Sequence, residues 1–293
     1  MGMPELPEME TYRRMLNERV GGRTVQAATV TREKTINVSP GQFLSRVEGR
    51  IIERVDRAAK TLLFRLDSGD SLQLHLMLGG SMFYGRPEEA PDRTAQVSLQ
   101  FGEHVLFFHG LRLGYLHIYT PEELAERIAK YGPDPTEPGF GPDEFASRLK
   151  TKPRGTLKFT LTDQEVLAGI GNCYADEMCF AARLHPLRKI SSLQPEDWQA
   201  LYTAMRSTLA EGIRFGGYME TPFFAGDRHT GGYNERLKVY DRGGEPCPRC
   251  GNAIVKTESN GRKVFFCGVC QGQGGEVGDR GGEAQARRLS YQH

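Results

Sequence analysis

The sequence has no apolar run approaching the ~20 residues needed to cross a bilayer, and its N-terminus carries no apolar stretch that could serve as an export signal. A membrane-spanning helix is excluded, and a soluble, cytoplasmic protein is expected. Charge of a prevailing sign is also missing, with 38 Lys and Arg against 37 Asp and Glu. Bulk charge therefore gives no pointer to a polyanionic partner, although a local basic groove is compatible with overall neutrality. No internal repeat is apparent. What the chain does have is length: its 293 residues, at ~150 per domain, suggest two domains with sizeable cores and rule out a single small stapled module.

Cysteine is scarce but arranged. Four of the six form Cys247-x2-Cys250 and, after sixteen intervening residues, Cys267-x2-Cys270. Two such knuckles on a short hairpin can close one tetrahedral thiolate site, which points to a single structural zinc ion. A disulfide pair or chance spacing is the alternative, and nothing else indicates an oxidising compartment. With sulfur in all four positions, the metal would organise the fold and not perform chemistry. Cys173 and Cys179 lie in an apolar helical stretch, where free cysteine behaves as a small buried hydrophobe.

Along the chain, Met9, Tyr12, Leu16 and Val20 recur at helical spacing until Gly21-Gly22, so the sequence opens with an amphipathic helix. From Val25 to about Tyr119 the pattern becomes alternation. Leu62, Phe64 and Leu66, then Leu72, Leu74, Leu76 and Leu78, then Val97, Leu99 and Phe101 predict short strands of an antiparallel sandwich or barrel. Thr120-Pro121-Glu122-Glu123 reads as a capping box opening a short helix through Tyr131. The Pro- and Gly-rich stretch from Gly132 to Gly141 makes an interdomain linker. Helices are then expected over 142–150, 157–161, 173–182 and 195–213, a long irregular loop over 214–237, and a disordered tail over 272–293. Within Leu167-Ala168-Gly169-Ile170-Gly171-Asn172, two glycines at a helix start could leave amides free to grip a phosphate, although a plain helix connection is the commoner meaning of such a turn.

Four stretches, taken together and in order, carry a resemblance. They are Met3-Pro4-Glu5-Leu6-Pro7-Glu8-Met9-Glu10-Thr11; Lys60 within Arg57-Ala58-Ala59-Lys60-Thr61-Leu62-Leu63; the segment from Asp163 to Glu177; and the hairpin ending Gly261-Arg262-Lys263-Val264-Phe265-Phe266-Cys267. The chain resembles the formamidopyrimidine-DNA glycosylase and endonuclease VIII family of base-excision repair enzymes. The resemblance implies an α+β multidomain protein: an N-terminal antiparallel β-sandwich with an N-terminal helix (3–133), a helix–two-turn–helix domain (142–237) and a C-terminal zinc-binding β-hairpin (238–271). It also implies damaged double-stranded DNA as partner, no membrane partner, and action as a monomer.

By the same resemblance, Pro4 is the nucleophile. A free proline nitrogen attacking the sugar C1′ yields an iminium ion that is already cationic and can drive elimination of the 3′ phosphate. A chain-terminal amine, with a reference pKa of ~8 against ~10.4 for lysine, is also more often neutral near pH 7. Glu5 would shuttle protons, Lys60 would contact phosphate and donate a proton around β-elimination, and Arg262 would hold the phosphate beside the lesion through its planar fork. Asn172 and His75 match phosphate-contacting positions. Because Met1-Gly2-Met3 precede Pro4 and make its nitrogen an amide, a start at Met3 is expected.

Two departures from the family pattern stand out. Where the related enzymes fill the gap of an extruded base with Met, Arg and Phe, this chain offers Leu78, Arg112 and Leu113. Where the purine-lesion enzymes continue Thr/Ser-Leu-Arg/Lys-Asp, it has Tyr218-Met219-Glu220-Thr221-Pro222-Phe223-Phe224, so the preferred lesion is open. The expected activity is that of a bifunctional DNA glycosylase and AP lyase acting by β,δ-elimination. The alternative is a relative that binds lesions or processes abasic sites without base excision.

Overall fold

The structure, a computed structural model, describes residues 2–272. The expected disordered tail therefore lies, from residue 273 onward, outside the described residues. Helix α1 (Leu6–Val20) starts where Glu5 and Glu8 form a reciprocal capping box. Its buried side chains serve two cores: Leu6 packs with Leu167, Ile170 and Cys173, while Met9, Tyr12, Leu16 and Val20 pack into the β-sandwich. One helix thus stitches the two halves of the molecule together.

The sandwich is built from β1 (Arg23–Thr24), β2 (Ala27–Val30), β3 (Ile51–Ala58), β4 (Thr61–Leu66), β5 (Ser71–His75), β6 (Ser81–Gly85), β7 (Ala95–Phe101), β8 (His104–His109) and β9 (Tyr115–Tyr119). One sheet has the order β1-β3-β4-β5-β9 and the other β2-β7-β8-β6, and every pair is antiparallel. Register pairs Leu62 with Leu74 and Phe64 with Leu72. These side chains meet Leu99 and Phe108 of the facing sheet in one core, as the alternation requires.

The sequence reading differs from this at two places. Alternation continues on paper to Leu78, but β5 ends at His75, because Met77 and Gly79 adopt left-handed backbone (φ 51° and 85°) and turn the chain. Leu76 stays buried while Leu78 is exposed. Helix α2 (Pro40–Val47) interrupts a region read as all strand; Ser39 and Gln42 form its capping box, with Pro40 at the first position.

Helix α3 (Pro121–Ile128) opens with the expected Thr120 cap and ends three residues before Tyr131. The second core is formed by α4 (Pro142–Lys150), α5 (Leu157–Leu161), α6 (Asn172–Ala181) and α7 (Pro195–Arg214), with Cys173 and Cys179 buried in it. Strands β10 (Val255–Ser259) and β11 (Arg262–Phe266) form the terminal hairpin. The irregular segment after α7 is firmly anchored: Phe223 is wholly buried in the sandwich core, and its carbonyl accepts from the Tyr84 amide at 2.7 Å. Among the described residues no helix is long and apolar enough to cross a membrane.

Candidate active site and zinc hairpin

Pro4 is buried directly before Glu5, the N-cap of α1. The Glu5 carboxylate reaches across to the start of α6, where it accepts from the amides of Gly171 (2.7 Å), Cys173 (2.9 Å) and Tyr174 (3.4 Å). These are the orphan donors of a helix N-terminus, and a carboxylate satisfies them well. The amides of the Gly-x-Gly turn and helix start that could grip a phosphate are thus taken by a carboxylate of the chain itself. Both glycines are sterically required. A Cβ at Gly169 (φ 94°) would press into Leu6, and one at Gly171 would overlap the Glu5 carboxyl and stand 2.7 Å from Lys60 Nζ.

Glu5 and Lys60 thus meet at Gly171. Lys60 sits in the tight turn between β3 and β4, whose Ala59 is left-handed (φ 52°), and is itself buried. The turn is held by Arg57 Nη1 and Thr61 Oγ1 donating to the carbonyls of Ala59 and Ala58. Burial raises the Glu5 pKa against the pull of Lys60 and the three amides. Burial likewise lowers that of Lys60, aided by Arg262 and opposed by Glu5. The two groups are drawn toward each other in proton affinity, which suits proton exchange at one reacting centre.

Glu8, one turn further along α1, accepts from the Glu5 amide, the Tyr174 hydroxyl and the Tyr218 amide. Burial, followed by the neighbouring Glu5 charge, pushes its pKa up to about 7. His75, at the end of β5, accepts the Met77 amide at Nδ1 (3.0 Å). That bond leaves Nε2 as the protonated nitrogen. Burial, then Lys60, brings its pKa down to about 4, so His75 offers a neutral donor near pH 7.

Arg262 is delivered by the hairpin. Its Nη1 donates to Thr162 Oγ1 at 3.1 Å, and its guanidinium lies 5.8 Å from the Phe159 ring centroid. Residues that sequence reasoning gave no role set this position. Lys158 Nζ donates to Asp176 (2.7 Å) and to the Lys263 carbonyl (2.5 Å), while Asp176 also accepts the Phe265 amide (3.1 Å). Glu177 accepts the amides of Lys238, Val239 and Tyr240. Both carboxylates are fully buried and belong to α6, the helix whose N-terminus holds Glu5. Their only outward signal is a pair of acids set inside an apolar helical stretch.

Asn172, the first residue of α6, has a buried Oδ1 without a hydrogen-bond partner among the described residues. Leu78, Arg112 and Leu113 lie outside this buried cluster, at the exposed tips of the turns 76–80 and 110–114 of the sandwich. These turns abut, since a Cβ at Gly110 would run into the Gly79 carbonyl. Leu78 and Leu113 are 52% and 64% exposed, so neither is a core residue, and the exposure suits apolar side chains that insert between bases.

The ligand atoms of Cys247, Cys250, Cys267 and Cys270 all lie within 4.8 Å of one another. Sulfurs at ~2.3 Å from a tetrahedral zinc would be separated by about 3.8 Å. Cys247 and Cys270 are 3.8 Å apart, and Cys250 and Cys267 3.5 Å. The amides of Arg249 and Cys270 donate to the sulfurs of Cys247 and Cys267, as suits thiolates. All six cysteines are free, so the disulfide alternative falls away.

Three family models match in order: the formamidopyrimidine-DNA glycosylase N-terminal domain over residues 3–116, the H2TH domain of the same enzymes over 131–222, and a zinc finger found in FPG and IleRS over 244–272. The finger and the fit of its sulfurs assign one structural zinc ion to the four cysteines. The formamidopyrimidine-DNA glycosylase of Chloroflexus aurantiacus is 37% identical over 272 residues, covering 92% of this chain and 98% of that one. The Heliobacterium modesticaldum enzyme is 37% identical over 277 residues, covering 92% and 100%. Among solved structures, the MutM (FPG) protein of Thermus thermophilus matches with a TM-score of 0.81 at 35% identity. The Lactococcus lactis Fpg bound to abasic-site DNA matches with 0.85 at 27%, and each structural match covers 92% of this chain and 100% of the other. The chain belongs to the formamidopyrimidine-DNA glycosylase family.

Proposed function

We propose that this protein excises oxidised or ring-opened bases from damaged duplex DNA and then cuts the strand at the resulting abasic site. The observation that carries the reading is the meeting of buried Glu5 and Lys60, from distant parts of the chain, at Gly171 beside Pro4, with Arg262 near enough to bear on the charge of Lys60. Keeping a carboxylate and an ammonium buried costs stability. Chemistry at that point explains the cost, whereas a relative that had given up excision would have no need of it.

In this reading the Pro4 nitrogen, freed by a start at Met3 and removal of that methionine, attacks C1′ of an extruded nucleotide. Glu5 carries protons during base departure and sugar-ring opening. The iminium ion withdraws electrons from C2′, the 3′ phosphate leaves by β-elimination with Lys60 at hand, and Arg262 steadies the flanking phosphate through δ-elimination. Asn172 and His75 donate to the backbone on either side. Leu78, Arg112 and Leu113 fill the space that the extruded nucleotide vacates.

Proline-terminated protein incubated with a duplex carrying a formamidopyrimidine should release free base and leave a phosphate at both ends of a one-nucleotide gap. Tight binding with the strand and base intact would support the lesion-binding alternative instead.

A further inference from the structure

Tyr218 is held unusually firmly for a residue in an irregular segment. Its amide donates to Glu8 Oε1 at 2.7 Å. Its ring stands edge-on to Tyr174 (6.0 Å, 69°) and Tyr240 (5.8 Å, 66°). The preceding Gly217 is left-handed (φ 74°) and leaves no room for a side chain against Glu8. The hydroxyl points to the N-terminus and donates to the Met3 carbonyl at 3.2 Å, with Gly2 lying against it.

That carbonyl oxygen is two bonds from the Pro4 nitrogen, so Tyr218 Oη lies within about 5.5 Å of it. It is also the only acceptor that the phenol has among the described residues. The oxygens of Glu5 and Glu8 are already engaged by amides and by Tyr174. When the residues ahead of Pro4 are removed, the same cleavage that frees the nucleophile uncovers the phenol and deprives it of its acceptor. A sugar C1′ brought to about 3–3.5 Å from the Pro4 nitrogen would place the departing base within the phenol's reach.

We propose that Tyr218 assists base departure by donating a hydrogen bond to the leaving base, at the acceptor atom that flanks the glycosidic nitrogen: O2 of a pyrimidine lesion or N3 of a purine-derived one. The inference rests on the reading of Pro4 as nucleophile. In the step concerned, the Pro4 nitrogen–C1′ bond forms and the glycosidic bond breaks, its electron pair leaving on the base. Protonated Glu5 supplies the proton that neutralises the base and recovers one from the Pro4 ammonium. Tyr218 transfers nothing. It stabilises the charge developing on the base, as an oriented donor in a dry site does. Burial, reinforced by Glu5, keeps the phenol protonated and so a donor.

The test separates base departure from everything after it. Tyr218→Phe keeps the ring packing and removes only the hydroxyl. With proline-terminated protein, single-turnover release of formamidopyrimidine or dihydrouracil should fall at least about tenfold, while borohydride trapping on a preformed abasic duplex, which has no base to expel, stays unchanged. An equal fall in both would mark a merely structural residue, and no fall in either would remove the contact; each outcome overturns the proposal. Absence of any adduct from the parent protein on abasic DNA would instead overturn the Pro4 reading, and this inference with it. Thermal unfolding of the variant, run in parallel, should match the parent, and a large loss would point to the structural role.

Discussion

Gly171 donates its amide to Glu5 at 2.7 Å across 166 residues of sequence, and in doing so ties the helix that follows Pro4 to the helix that anchors the zinc hairpin. The position has no room for a side chain. Gly171→Ala would drive a methyl between the Glu5 carboxyl and Lys60 Nζ. Overpacking of this kind costs about 1–3 kcal/mol. The expected result is a lower melting temperature together with loss of trapping on abasic DNA, while Gly139→Ala, in open space, leaves both near the parent values.

Glu8 makes stability depend on pH. Its carboxyl titrates near 7 in the folded protein against an ordinary 4.5, so between those values the native state holds the proton that the unfolded chain gives up. Stability from this group is complete below about pH 4.5 and is lost as pH rises through 7, at up to about 1.4 kcal/mol per pH unit. Denaturant melts from pH 4.5 to 7.5 should show the parent falling relative to Glu8→Gln across that window. A constant difference would contradict the assignment.

Removing zinc should disable Arg262 at a distance. Without the metal the four cysteines take up protons and lose the crosslink between the two knuckles, and the β10–β11 hairpin has only a small core of its own beneath it. Chelation under mild conditions, or Cys250→Ser, should abolish DNA binding while the sandwich keeps its β-sheet circular dichroism. Restoring zinc to the chelated protein should restore binding.

Arg262→Ala should weaken binding to an abasic-analogue duplex and reduce the slope of log K against log salt by about one, because one phosphate contact is lost. An unchanged slope would mean that this guanidinium does not reach the backbone.

Helix starts were well marked in the sequence, because Pro121, Pro142 and Pro195 stand at first helical positions. Strands were legible where one face is buried, as in Leu62, Phe64 and Leu66. Helix α2 carried the same kind of signal in Ser39-Pro40-Gly41-Gln42 but lay within alternating segments that masked it. The end of β5 was not legible, since a left-handed Met77 carries no compositional warning. The individual side chains Pro4, Glu5, Lys60 and Arg262 were readable only as a resemblance. What holds them was not readable at all: the Glu5–Gly171, Asp176–Phe265 and Tyr84–Phe223 contacts join segments far apart in the chain, and each partner taken alone is an ordinary residue.

The central claim is that the Pro4 nitrogen becomes covalently bonded to deoxyribose, and borohydride reduction of proline-terminated protein on an abasic duplex tests it most directly. Digestion and mass spectrometry should place the reduced sugar adduct on the peptide that begins at Pro4, with none on Lys60. An adduct confined to Lys60, or none from protein verified to begin at that proline, would contradict it.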